Sequence, residues 1–436
     1  MTNNIKKNSS IFLDFVKNAI TASPKVQRNF LNITESFAET IYKILKEEDL
    51  IMKLSYDGKD FWKRNNNKIS CFIDGGISKS SLISAAPIGI RAGSYIVQPN
   101  AKFEDKREVF EESFTFVGDL YDHTNNNLYD LDKIEDDYEI EQINNKKKDA
   151  GRIIFETATL IKHLTLNKQF DFTFLHGPLQ ATCHPFTSID FPNFSSFAVN
   201  NLFPNYQNKK LGSASRHFVN VYLDALLKIK KSNLNIFGVV ETASSSPYIK
   251  NLLYNQVQKG LLSQKDYKAA LITIKKYKIS DSNLFEIILN EKQALKPLEI
   301  KKQIQGFGVN PNSPWADVLE MYPKVFIGYI KSNNNHCPIR IETLNKSENL
   351  IENYEYILAA SRLLPSYGFP AALNIVDRFS KIPIYMSRAS RNCYASHLLK
   401  RAIESKDQNT ISFAVKILSQ KARSWINRPV NGGFRK

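Results

Sequence analysis

Asp74 stands in the segment CFIDGG, where an apolar run gives way to two glycines. A carboxylate there loses hydration unless it meets a cation or hydrogen-bond donors, and glycine lets a ligand come close to the backbone. The same Asp-Gly pair also suits a two-residue hairpin turn, so the local pattern serves a metal site and a plain turn alike. Glu156 lies in DAGRIIFETATLIKHLTL, where Ile153, Ile154 and Leu160 mark an apolar helical face; its carboxylate is directed either at a strand end or out to solvent. His176 closes FDFTFLHG, and an imidazole at a buried strand end needs a partner, either a core polar group or a metal ion. Asp377 sits in the helical run AALNIVDRFS beside Arg378, a ready ion-pair neighbour. Convergence of three or four such ligands is what two-metal phosphodiester hydrolysis requires, with ions roughly 3.5–4 Å apart activating water and stabilising the leaving oxygen.

The elements that position these residues follow from periodicity. Residues 10–50 place apolar side chains at helical spacing, which predicts a helical preface. The run KISCFIDGGISKSSLISAAPIGIRAGSYIV reads as a β-hairpin around a small-residue turn, with EVFEESFTFVGDLYD as a further strand. The acidic, Asn-rich stretch LYDLDKIEDDYEIEQINNKKK reads as an exposed insertion or the approach to a helix. A helix over 149–166 with Asp149 as N-cap leads to the strand ending at His176. The helix HFVNVYLDALLKIKK and the strand LNIFGVVETASS come next, so the class is α/β. Residues 251–305 read as mostly helical, and KVFIGYIK and CPIRIETL return to strands before two last helices carrying Asp377. The expected division is a helical N-terminal segment over 1–55, a main domain over 56–390 with a helical insertion at about 251–305, and a basic helical C-terminal segment over 391–436.

Lys and Arg outnumber Asp and Glu by 59 to 43, a net charge of +16. Residues 101–150 hold 15 acids and 7 bases, so the rest of the chain carries +24. From Arg388 to Lys436 there are 11 bases and 2 acids, with Trp425 and Phe434 interleaved. This fits a nucleic-acid groove and a solvated helical face equally. Cys71, Cys183, Cys337 and Cys393 have no CxxC spacing, which argues against structural zinc and a disulfide framework. The N-terminal apolar stretch is broken by Asp14 and Lys17, and no run approaches the roughly 20 apolar residues of a membrane span. A soluble, cytoplasmic protein is expected.

The order of these pieces carries a resemblance. CFIDGG with its hairpin, the helix containing RIIFE, the strand ending FLHGPL, the strand FGVVETASSSPYIK, the RIE strand and the late GFPAALNIVDRFSKI together resemble the NurA family of DNA-end-processing nucleases over about residues 60–390. The resemblance implies an RNase H-like mixed-sheet core and a manganese- or magnesium-dependent DNA nuclease, a single-strand endonuclease and 5′-to-3′ exonuclease. It also implies a homodimer with DNA and a HerA-like hexameric ATPase as partners. Asp74, Glu156 and Asp377 take catalytic and metal-binding positions, with His176 a further metal ligand. Arg152, Lys250, Arg388 and Arg391 are the expected phosphate contacts.

Departures accompany the matches. His176 stands where the family usually has an aspartate, Asp377 where it has a histidine, Phe369 where it has a tyrosine, and Glu241 where lysine is common. Asp for His keeps a ligand, whereas His for Asp removes a negative charge from a site for hard cations. The alternative is therefore a catalytically degenerate NurA-like DNA-binding or scaffold subunit of a HerA-type complex. A third reading is an α/β protein whose basic surface is compositional background.

Overall fold

The computed structural model describes residues 32–383 apart from 78–87, 103–106, 119, 123–136, 167–169, 182–185, 188–190, 205, 207–214, 233, 303–314, 347–348 and 365–366, and beyond them 386, 393, 396–397, 399–412 and 415. Its strands are β1 (Ile51–Lys53), β2 (Ser70–Ile77), β3 (Ile88–Val97), β4 (Glu108–Gly118), β5 (Phe172–His176), β6 (Ile236–Val240), β7 (Gln293–Glu299), β8 (Phe326–Lys331) and β9 (Ile339–Thr343). They form one sheet in the order β1-β7-β8-β9-β6-β5-β2-β3-β4. β2 pairs antiparallel with β3 and parallel with β5, and β5 pairs parallel with β6. The expected α/β class and mixed sheet are present.

Helix α1 spans residues 32–47. It is followed by α2 (Lys59–Arg64), α3 (Asp137–Thr165), α4 (Ser196–Leu202), α5 (Phe218–Lys231), α6 (Pro247–Gln258), α7 (Gln264–Lys276), α8 (Asp281–Ile288), α9 (Ala316–Glu320), α10 (Leu350–Ser361) and α11 (Ala371–Ser380). Two apolar cores cover the two faces of the sheet. Cys71, Ile73 and Ile90 pack with Phe155 and Ala158 of α3 and Tyr222 and Leu226 of α5. Phe72, Phe174 and Phe237 pack with Tyr356 and Ile357 of α10 and Leu373 and Val376 of α11. This two-sided burial explains why β5 reads as a continuous apolar run rather than an alternating one. Burial of each phenylalanine contributes on the order of 2–3 kcal/mol before entropy is counted.

Several expectations need correction. The helix carrying Glu156 begins at Asp137, not at Asp149, so Asp149 is an interior residue and the part of the Asn-rich approach from Asp137 onward belongs to a 29-residue helix, its earlier residues lying outside the described ones. Within the expected helical insertion, Gln293–Glu299 is a strand, paired with β1 and β8 and carrying a register shift between Leu295 and Leu298 around Pro297. Pro297 lacks a donor, which fits a bulge and not a helix interior. The N-terminal segment is not wholly helical, because Ile51–Lys53 is an edge strand of the sheet. The hairpin turn and most of the basic C-terminal segment lie outside the described residues. Among the described residues, no helix is long and apolar enough to cross a membrane.

Candidate metal centre

Asp74 does not close its strand. β2 runs on through both glycines to Ile77, paired with β3 throughout, while the parallel pairing to β5 stops at Ile73. Asp74 therefore sits where β5 ends and the sheet opens, and the plain-turn reading falls. Side chains alternate along a strand, so Asp74 shares a face with Phe72 and His176 shares that face with Phe174. The register Phe72↔Phe174 sets the two side by side. α11 crosses the same face and brings Asp377.

The two glycines explain how helices come this close. A Cβ at Gly76 would lie 2.3 Å from the Ser380 carbonyl oxygen at the end of α11, and one at Gly75 would lie 2.9 Å from Glu156 Cγ of α3. Both are contacts that only a glycine permits. Ser380 Oγ donates to the Asp74 carbonyl at 2.9 Å, and Arg91 of β3 donates to the Phe379 carbonyl at 2.8 Å, so the C-terminal turn of α11 is tied to the strands beneath it.

The result is a three-ligand cluster: one donor atom from each of Asp74, His176 and Asp377 lies within 4.8 Å of the others. His176 Nδ1 is 3.1 Å from Asp74 Oδ2, and the Gly75 N–H donates to Asp74 Oδ1 at 2.8 Å. Asp74 is buried, whereas His176 and Asp377 are about 30% exposed, at 27% and 31% of their side chains. Two carboxylate oxygens and an imidazole nitrogen, partly open to solvent, suit a divalent cation such as manganese. Lys381 Nζ holds Asp377 Oδ2 at 2.5 Å and competes for it.

Glu156 reaches the same place from the other face of the sheet, beside Gly75, and is not among the three clustered ligands. Its carboxylate accepts from Arg152 Nη1 at 2.8 Å. Burial pushes its pKa up to about 7, against the pull of Arg152 and reinforced by the Asp74 charge. For His176, burial favours the neutral ring, but the hydrogen bond and charge of Asp74, with Asp377 and Glu156 behind, outweigh it and raise the pKa. The site thus gathers three acidic side chains around one imidazole, with Arg152 and Lys381 each paired to one of them.

The remaining candidates separate. Arg152 is committed to Glu156, so its charge serves that carboxylate before any phosphate. Lys250 is half-buried on α6, and Arg388 and Arg391 lie outside the described residues. Phe369 is buried with its ring centroid 5.6 Å from that of His176, so the position packs against the cluster without a hydroxyl. A cavity of about 490 Å³ opens near Phe237, Thr343 and Lys346, at the opposite end of β6, and contains none of these groups. Sequence reasoning missed Arg91, Ser380, Lys381 and His336. Only His336, in the polar loop NNNHCP between β8 and β9, carried a usable signal.

Taken together these features define a mixed-sheet α/β protein with a carboxylate–imidazole cluster at the open ends of its parallel strands. The NurA domain family matches residues 68–382, and the chain belongs to that family. Among solved structures, the NurA nuclease from Sulfolobus solfataricus is similar at 12% identity and a TM-score of 0.47, covering 92% of this chain and 98% of that one. A NurA with manganese is 11% identical, with a TM-score of 0.43 over 88% of this chain and 98% of that one. A NurA bound to dAMP and manganese is 10% identical, with a TM-score of 0.39 over 88% and 94%. No curated protein matches the chain.

Proposed function

We propose that this chain is a metal-dependent DNA nuclease, with Asp74, His176 and Asp377 holding a manganese or magnesium ion. The convergence of these three residues from β2, β5 and α11 is the observation that carries the reading. A cation held there supplies Lewis acidity toward a phosphoryl oxygen and acidifies water. The protein's own part is positional. Gly76 and Ser380 set Asp377 against β2, Asp74 orients His176 through Nδ1, and Glu156 stands ready to accept a proton or join the ligands when Arg152 lets go. The order β4-β3-β2-β5-β6, three antiparallel strands followed by two parallel ones, supports an RNase H-like core. Family membership and the net positive charge support DNA as substrate, in end processing or defence, by single-strand endonuclease and 5′-to-3′ exonuclease cleavage, in a cytoplasmic homodimer working with a HerA-like hexameric ATPase.

A second reading has its own support. The Arg152–Glu156 pair and the pull of Asp74 on His176 toward its charged form both offset charge that a cation would otherwise meet, as in a silent DNA-binding subunit of a HerA-type complex. One assay separates the two: cleavage of single-stranded and supercoiled DNA with manganese, wild type against Asp74→Ala. Manganese-dependent cleavage lost in the variant is expected. Equal cleavage by both proteins overturns the proposal, and DNA binding without cleavage selects the silent subunit.

A further inference from the structure

Phe369 packs near both the metal cluster and a second constellation. Its ring centroid lies 5.6 Å from that of His176 and 6.4 Å from that of His336, the latter stacked at 25°. The two imidazoles are thus no more than about 12 Å apart, with one phenylalanine near both. Glu241 follows the last residue of β6, a strand whose Val239 pairs with His176, so it stands at the same open end of the sheet. Its Oε1 faces His336 Nε2 at 3.5 Å, and its side chain is 46% exposed. Tyr367, half-buried and with its hydroxyl accepting from Asn374 at 2.8 Å, meets Phe369 edge-on at 6.4 Å and completes the wall.

This corner is built rather than incidental. Lys331 Nζ donates to the His336 carbonyl at 3.0 Å, and Ser332 Oγ donates to the Gly368 carbonyl at 2.5 Å. Gly368 has φ +74°, and a Cβ there would fall 2.5 Å from His336 Cβ, so the loop and the turn fit only with glycine. His336 Nδ1 lies 2.7 Å from the Cys337 carbonyl oxygen. A carbonyl only accepts, so Nδ1 carries a hydrogen. The corner thus offers the half-exposed carboxylate of Glu241 as its acceptor, one oxygen of which faces His336 Nε2 at 3.5 Å.

A carboxylate at the edge of a polyanion's path is repelled by phosphates, and on DNA the groups that satisfy it are base N–H donors. Among the bases, guanine alone presents two adjacent donors, N1–H and N2–H, on its Watson–Crick edge, spaced to match one carboxylate. Unstacked bases in single strands are read on that edge and stacked on aromatic rings. We infer that Glu241, His336 and Tyr367 form a nucleobase subsite beside the metal cluster that selects guanine: Glu241 accepts from N1–H and N2–H, and Tyr367 gives the base a stacking surface. The inference rests on the reading of the protein as a DNA-binding nuclease.

The test uses the full-length Asp74→Asn variant with manganese and fluorescein-labelled oligothymidylates carrying one central dG, deoxyinosine, dA or dC. Equilibrium binding by anisotropy is expected to favour dG about tenfold. Deoxyinosine, which lacks the N2 amino group, removes most of that preference without touching the protein. Adding Glu241→Gln, a half-exposed and isosteric change, brings all four within about twofold. Equal binding of the four oligonucleotides, or a dG preference unmoved by Glu241→Gln, overturns the subsite. A dG preference in a chain whose wild type never cleaves sustains the subsite and overturns the nuclease. Absence of any DNA binding overturns both.

Discussion

Glu156 and Asp281 are both buried carboxyl groups whose pKa burial pushes up, to about 7 and about 6 respectively, yet their surroundings differ in kind. Asp281 opens α8 and caps the start of α6. Its Oδ2 accepts from the Tyr248 N–H and the Tyr329 hydroxyl at 2.9 Å each, and its Oδ1 from the Ile249 N–H at 3.1 Å. Arg340, paired with Glu342 at 2.9 Å, adds positive charge nearby. Every oxygen there has a protein donor, and the group is wholly buried. Glu156 accepts from one side chain, Arg152, and faces another carboxylate, Asp74. A closed polar network fixes one packing of the chain, whereas a carboxyl short of donors beside half-exposed ligands is ready for a cation or a proton. The difference marks which cluster is structure and which is chemistry.

The largest effects test that division directly. Asp74→Ala should lower manganese-dependent cleavage by about 10³-fold or more, because it removes the ligand shared by His176 and the cation, several kcal/mol of transition-state stabilisation. Its thermal midpoint should stay close to wild type. Asp281→Ala should do the reverse, costing about 3–5 kcal/mol of stability by stranding two buried N–H groups and a hydroxyl, while the folded fraction still cleaves. Urea titration and initial rates on both variants check this. A stability loss at Asp74 equal to that at Asp281 erases the distinction.

The sequence made the ligand types and their order legible, because an acid after an apolar run and a histidine at a strand end are local signals. It left the mode of convergence hidden. CFIDGG shows two glycines but not that one admits α3 and the other α11 from opposite faces of β2. Glu156 therefore looked equivalent to Asp377, although it lies across the sheet and is bound to Arg152. Asp281 gave no signal at all, since its role depends on α6 and β8, whose residues are distant in sequence. β7 was lost in a stretch with a proline and weak alternation, where tertiary pairing decides the conformation.

The pH dependence of stability sharpens the comparison. A carboxyl whose pKa is raised in the folded state favours folding while protonated, so its contribution falls as pH rises from the unfolded value through the folded one. For Asp281 that window runs from 3.8 to about 6, and for Glu156 from 4.5 to about 7. Between pH 6 and 7 the Asp281 contribution dies away and that of Glu156 continues, while His176, raised above its ordinary 6.5, begins to lose its own. Wild type should lose on the order of 1 kcal/mol across that unit. Glu156→Gln should be shallower than wild type there yet keep the Asp281 slope below pH 6. Urea midpoints from pH 4 to 8 measure both, and a slope between pH 6 and 7 that Glu156→Gln leaves undiminished places the titrating group elsewhere.

The smallest expected effect probes the open side of the site. Lys381 is 65% exposed and holds Asp377 Oδ2 at 2.5 Å. An exposed pair of this kind is worth about 0–1 kcal/mol, so Lys381→Ala should leave stability nearly unchanged. The same ammonium competes with a divalent cation for Asp377, however, and that competition has the size of the pair itself. Removing it should lower the manganese concentration for half-maximal cleavage about two- to threefold at low salt, and less as salt screens the pair. A manganese titration of wild type and Lys381→Ala at two ionic strengths reads the shift. A half-maximal concentration that stays put or rises would mean that Asp377 does not meet the cation, and the cluster would reduce to Asp74 and His176.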